Sequence, residues 1–348
     1  MLSFLAKPWF FSLVLAFALL APDRAAADDR FAHHRRLDRI VVFGDSLSDP
    51  GNAFALNGGQ TVAPPDYGMT TASELLQLIP AAPYATRRFS NGPTWIELLA
   101  GTIGLGSSAK PAFVGSDGRA SNYAVGGATA ADLTALGGSP FHLTVQVDNF
   151  FLDFDVRKRG APSDALYVIA IGGNDVRAAL AAGPGVFTLS LAAVGQNIQK
   201  LYLAGARKFL VWNAPNLGLT PAIQRLNAFG PPGVAGVIAG AATALSAGYN
   251  EGLQGDEGVL QGLGALPGIE IVQFDAFGTL GAVVANPGRF GLRNATDACI
   301  QPNVPPLFRC ALPDRHFFWD GIHPTRAGHA IMAFLVGKTL VAHALQDD

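Results

Sequence analysis

The stretch "VVFGDSLSDPGN", Val41–Asn52, ends an apolar run abruptly on Gly44-Asp45-Ser46. Gly, Asp and Ser are ordinary turn formers. A serine at the centre of such a turn can also be a nucleophile, provided that a base reaches it. The rest of the chain decides between these roles.

Four further runs share the apolar character of "RIVVF" (Arg39–Phe43). They are "SNYAV" (Ser121–Val125), "LYVIAI" (Leu166–Ile171), "KFLVWN" (Lys208–Asn213) and "IEIVQFD" (Ile269–Asp275). Three are almost continuously apolar, as strands covered on both faces of a parallel sheet are. Helical patterns separate them. Trp95, Ile96, Leu98 and Leu99 form one, and Val145, Phe150, Phe151 and Phe154 another. Leu189–Leu203 and Val234–Leu263 follow, and a helix from about Thr325 to Leu345 closes the chain. Strand–helix alternation without a repeat, composition break or linker predicts one α/β domain built on a parallel sheet.

Each of the first four runs is followed by small or amide-bearing residues. These are Gly44-Asp45-Ser46, Gly126-Gly127, "GGND" (Gly172–Asp175) and "NAPNLG" (Asn213–Gly218). Open parallel sheets bind ligands beyond the carboxyl ends of their strands, where the strand order reverses. Four such ends predict one shared crevice.

Near the C-terminus, "FFWDGIHPTRAGH" (Phe317–His329) sets Asp320 and His323 three residues apart before a helix. Pro324 biases His323 away from the helical region and suits the start of the helix after it. A carboxylate on Nδ1–H fixes the imidazole tautomer, and Nε2 is then free to take a hydroxyl proton. The segments Asn57–Pro93 and Ala276–Trp319 read as long loops that shape a pocket, the second returning the C-terminus to the first strand. Backbone N–H groups beside glycine and the amide of Asn174 are candidate donors to a developing oxyanion.

The blocks "FGDSLSDPGN", "SNYAVGGATA", "IGGNDV" and "DGIHPT" resemble, in order, the four sequence blocks of the GDSL, or SGNH, hydrolase family. The stretches "NAPNLGLTP" and "FFWDGIHPTRAGH" are similar to its secreted esterase/lipase branch. The resemblance spans nearly the whole chain after the leader. It implies a flavodoxin-like three-layer α/β/α sandwich with a five-stranded parallel sheet. It implies Ser46 as nucleophile, His323 as general base and Asp320 as its orienting acid. Ser46 N–H, the Asn174 amide and Gly127 N–H would form the oxyanion hole, with Gly126 the adjacent alternative to Gly127. Such sites work without metal or organic cofactor. The implied activity is hydrolysis of carboxylic acyl esters of small molecules or lipids. Alternatives are transfer of the acyl group to another alcohol, removal of O-acetyl groups from polysaccharide, or a non-catalytic surface-binding protein on the same fold.

Composition agrees with a folded, exported chain. Of 348 residues, 49% are hydrophobic and 14% charged, so disorder is disfavoured despite 41 Gly and 23 Pro. The apolar run Trp9–Ala21 is short for a membrane span and precedes "RAAADD", an A-x-A cleavage signal. A signal peptide over residues 1–27 and a single domain over 28–348 are therefore expected, with the mature chain secreted or periplasmic. Removing the leader takes away Lys7, Arg24 and Asp23 and leaves the chain slightly more acidic than its formal charge of −2. No basic stripe suggests nucleic acid; His33-His34-Arg35-Arg36 is an isolated patch. No integral membrane segment is expected in the mature chain, and a monomer is. In an exported protein Cys299 and Cys310 read as one disulfide.

Competing motifs fail. There is no G-x-S-x-G elbow. "GLGSSA" at Gly104 follows a helical pattern rather than a strand, and "GKT" at Gly337 lacks the upstream glycine of a phosphate loop. His316, His323 and His329 do not have metal-ligand spacing on a helix.

Overall fold

Continuous apolar runs with no polar alternation must be covered on both faces, and the sheet they build is covered in this way. The computed structural model describes residues 37–65, 78–114, 118–228, 236–301 and 308–344. The chain divides into Met1–Leu37 and Asp38–Asp348, and the larger unit carries the sheet. The expected leader and the His33–Arg36 patch lie outside the described residues.

Strand β1 (Arg39–Gly44) pairs in parallel with β2 (Ala165–Ala170), in register from Arg39↔Ala165 to Gly44↔Ala170. Strand β2 pairs with β3 (Lys208–Trp212), and β3 with β4 (Glu270–Phe274), all parallel. Every residue of β2 is buried; β4, at the edge, alternates. Ser121–Val125 takes the fifth position, on the free side of β1. Val42 N–H donates to Ser121 O at 2.9 Å, Tyr123 N–H to Val42 O at 2.7 Å and Val125 N–H to Gly44 O at 3.1 Å. This segment is not a regular strand because its polar side chains take up backbone partners. Ser121 Oγ donates to Ile40 O, and Asn122 bonds Ser48 O and Ala124 N–H.

The spatial order is thus 121–125, β1, β2, β3, β4. The chain leaves β1 for one side and then crosses to the other. The reversal falls at the carboxyl end of β1, where ligands bind in such sheets.

Among the described residues, the helices that flank the sheet or border its carboxyl edge include α1 (Trp95–Thr102), α2 (Leu143–Asp153), α3 (Gly173–Ala182), α4 (Val186–Leu203), α5 (Val237–Gln254), α6 (Ala276–Ala285) and α7 (Arg326–Ala344). Val41, Phe43, Tyr167 and Phe209 on one sheet face pack with Phe150 of α2, Ile198 of α4 and Tyr249 of α5. On the opposite face the Trp95 ring of α1 lies 4.4 Å from that of Trp212, and α7 packs against α1. This is a three-layer α/β/α sandwich. Helix α7 has the length and mean hydropathy, 1.2, to cross a membrane. Here its His329, Met332, Ala333 and Val336 are buried against the domain.

Three expectations change. The helix expected over Val234–Leu263 is two, α5 and Val259–Gly264, because Gly255 leaves α5 in an extended conformation (ψ 177°). Its start, Val234, falls outside the described residues. Ala276–Trp319 is not all loop: α6 opens it, capped by Asp275, whose carboxylate accepts Gly278 N–H at 2.8 Å. "GGND" is not only a strand end, since α3 begins on Gly173.

Candidate active site

Strand β1 stops at Gly44 because its backbone finds a side-chain partner. Gln146 of α2 accepts Gly44 N–H and donates to Gly44 O, both at 2.8 Å. The chain then turns. Asp45 Oδ1 accepts Leu47 N–H at 3.0 Å, and Ser48 N–H donates to Asp45 O at 3.1 Å. Ser46 sits half-buried at the apex. Asp49 anchors the far side. Its carboxylate accepts N–H groups of Gly51 (2.7 Å), Asn52 (2.6 Å), Ala53 (3.0 Å) and, across the crevice, Gly126 (2.9 Å). One buried acid thus ties the serine turn to the Gly126-Gly127 loop.

The D-x-x-H spacing has a local cause. Asp320 Oδ1 accepts N–H from Ile322 at 2.8 Å and from His323 at 2.7 Å, so one oxygen builds the turn. The other, Oδ2, receives the His323 ring nitrogen Nδ1 at 2.7 Å. Trp319 N–H donates to His323 O at 2.8 Å and closes the turn. His323 Nε2 then lies 2.9 Å from Ser46 Oγ. Asp320 and His323 are only 2% and 3% exposed, so water does not compete for these bonds. With Nδ1–H on the carboxylate, Nε2 is left to accept the Ser46 hydroxyl proton.

The expected pocket loop Asn57–Pro93 also clamps this turn, through residues the sequence reading did not single out. Tyr84 O–H donates to Asp320 Oδ2 at 2.8 Å. The Phe89 ring stacks on His323, centroids 5.3 Å apart. Ser90 Oγ donates to Pro324 O at 2.8 Å, and Asn91 Oδ1 accepts Arg326 N–H at 2.7 Å. Cys299 and Cys310 are bonded, with Cα atoms 4.8 Å apart. Their hairpin donates Cys299 N–H to Phe318 O and Ile300 N–H to Trp319 O, immediately before Asp320.

Of the expected oxyanion donors, Asn174 lines the same crevice as Ser46. Gly127 has φ 75°, a left-handed conformation that glycine adopts without strain. Gly126 N–H is already committed to Asp49. Asn174, at the start of α3, donates Nδ2–H to Ala128 O at 2.9 Å, which fixes its amide. Asp175 holds the same loop from below, accepting Ala130 N–H at 3.0 Å and Ser190 O–H at 2.5 Å. Gly172 admits no side chain, since a Cβ would come 2.7 Å from the Tyr249 ring. The fourth strand end serves differently. Asn213 and Asn216 bond backbone and neighbouring side chains, and only Pro215 and Leu217 reach the crevice.

Burial sets the electrostatics. It pushes Asp45 up to about 7 and Asp49 and Asp175 up to about 6. It pushes His329 down to about 3, so that ring stays neutral while its Nδ1 accepts Trp95 N–H. Among the described residues no group of three His, Cys, Asp or Glu converges as a metal site.

Ser46 shares an apolar slot with residues from the ends of β3 and β4 and from α6 and α7. Asp49 was legible in principle, as an acid just ahead of a short helix. Tyr84, Phe89 and Gln146 carried no local signal.

Residues 40–336 match the family model described as GDSL-like lipase/acylhydrolase. Two GDSL esterase/lipases of Arabidopsis thaliana are 27% and 28% identical to the chain. The alignments cover 86% and 84% of this chain and 84% and 83% of the relatives. A phosphatidylcholine-sterol acyltransferase of Aeromonas hydrophila is 27% identical over 84% of this chain and 72% of its own length.

Proposed function

Because the chain belongs to the GDSL lipase/acylhydrolase family, we propose that it hydrolyses carboxylic esters through an acyl-enzyme on Ser46. The observation that carries this reading is the relay from Ser46 Oγ to His323 Nε2, 2.9 Å, and from His323 Nδ1 to Asp320 Oδ2, 2.7 Å.

Ser46 Oγ attacks the ester carbonyl as its proton passes to His323 Nε2. The carbonyl oxygen becomes an oxyanion facing Ser46 N–H, Gly127 N–H and the Asn174 amide. Asp320 stabilises the imidazolium without taking its proton. Collapse of the tetrahedral adduct breaks the bond to the alcohol oxygen, which leaves with the proton from Nε2. Water then attacks the acyl-enzyme, gives its proton to Nε2, and releases the acid as Ser46 regains its hydrogen. Gly127 rather than Gly126 is the donor in this reading, because the N–H of Gly126 is bonded to Asp49.

Ser46→Ala should abolish turnover of a chromogenic short-chain ester, and an organophosphonate should label wild-type Ser46 stoichiometrically. Wild-type rates in the alanine variant would end the proposal, and absence of label would favour a non-catalytic binding role.

The likeness to an acyltransferase supports a second reading, transfer of the same acyl group to an alcohol other than water. Product analysis with a sterol or glycerol acceptor separates the two. The proposal includes export, with cleavage after Ala27: the Cys299–Cys310 bond suits an oxidising compartment. The amino-terminal sequence of the mature protein tests it.

A further inference from the structure

The slot beside Ser46 has a chemistry of its own. Trp212 and Phe274 are cross-strand partners at the ends of β3 and β4, with rings 4.6 Å apart. Phe317 and Phe318, just before Asp320, also line the slot, with Leu280 of α6 and Met332 of α7. All six side chains are buried. The ionisable residues that line it are Asp45, Arg177 and His323. Of its hydroxyls, Thr220 is already donated to Leu217 O at 2.7 Å. Among the six wall side chains the one N–H is Trp212 Nε1, buried and without a hydrogen-bond partner, so a sugar ring placed against them would leave most of its hydroxyls without partners, each an expensive burial. A hydrocarbon chain would leave none.

Which half of an ester would occupy the slot is set by the order of events. The alcohol must depart and water must arrive while the acyl group stays bound to Ser46. The group held in the apolar slot is the one that does not exchange.

We infer that this slot is the acyl site and takes an unbranched aliphatic chain longer than acetyl, with Leu280 and Met332 as chain-length determinants. The inference rests on the acyl-enzyme reading and names its substrate class: medium-chain aliphatic esters rather than O-acetylated sugars. The alcohol lies on the solvent side and is selected weakly.

The test is a series of p-nitrophenyl esters from acetyl to dodecanoyl, run on wild type, Leu280→Trp and Leu280→Ala. In wild type, kcat/KM should rise about fourfold per added methylene until the slot is filled. Leu280→Trp should lower the hexanoyl-to-acetyl ratio by about 30-fold or more, as when a pocket is shortened by several methylenes. Leu280→Ala should move the optimum to longer chains, and it carries the test if the tryptophan variant does not fold. A wild type that prefers acetyl to hexanoyl, or a ratio unchanged in both folded variants, would overturn the acyl-site assignment while leaving ester hydrolysis in place. Absence of hydrolysis across the whole series, with Ser46 unlabelled by organophosphonate, would instead remove the acyl-enzyme reading on which it stands.

Discussion

Asp320→Asn changes one atom at the point where the turn and the proposed base meet. Oδ1 accepts two backbone N–H groups, at 2.8 and 2.7 Å. An amide nitrogen placed there would face two donors and orphan both, at about 1–3 kcal/mol each. The asparagine oxygen therefore keeps the Oδ1 position, and its NH2 replaces Oδ2. That NH2 now donates to His323 Nδ1, which must become the unprotonated nitrogen. The ring proton moves to Nε2 and points at Ser46 Oγ, where a proton acceptor is needed. Tyr84 loses no partner, because its hydroxyl can rotate from donor to acceptor. The fold should thus persist, with stability changed by about 1 kcal/mol. The rate should not: kcat should fall about 10⁴-fold, the effect of holding the wrong tautomer in such a triad. That is about 5 kcal/mol of lost transition-state stabilisation. Steady-state hydrolysis of a chromogenic short-chain ester, paired with thermal unfolding, measures both. A variant within tenfold of wild-type kcat would refute the assignment of Asp320 to tautomer control.

Asn174→Ala should lower kcat by about 10²–10³ with KM little changed; an unaltered kcat with raised KM would mark Asn174 as a ground-state contact. Reduction of Cys299–Cys310 should cost about 3 kcal/mol of stability by freeing the closed loop. It should also lower kcat, because the hairpin bonds Phe318 and Trp319 next to Asp320. Thermal unfolding and rates with and without reductant test this, and two titratable thiols in the oxidised protein would remove its basis. His329 is depressed to about 3 against an ordinary 6.5, so its neutral form contributes stability that is full above pH 6.5 and lost as pH falls toward 3. From pH 7 to pH 4 wild type should lose about 3 kcal/mol more than His329→Gln, which keeps an acceptor for Trp95 N–H. Parallel denaturation curves at the two pH values would show that the ring charges without penalty.

Much of this was legible in the chain. Runs such as "LYVIAI" have no polar face, so they must be covered on both sides, and that alone implies a parallel sheet between helical layers. The small polar ends of those runs marked the crevice, because strand carboxyl ends in such sheets face one way. Asp320 and His323 were readable as a pair because a carboxylate can bond the backbone two and three residues on, which is a local matter. The start of α6 was misread as loop although Asp275 caps it, since an Asp cap and an Asp turn look alike until the next residues are placed. Tyr84 and Phe89 were invisible, since nothing near them in sequence needs a phenol or a ring.

By itself the sequence determined what depends on neighbours along the chain: periodicity, turn chemistry and the covering of both sheet faces. Only the tertiary structure decided that the imidazole at 323 meets the hydroxyl at 46, that Tyr84 holds the acid, that Asp49 takes the N–H of Gly126, and which side chains wall the slot. Those are contacts between segments as far as 277 residues apart. Their energies depend on distances of a few ångströms that no local pattern encodes.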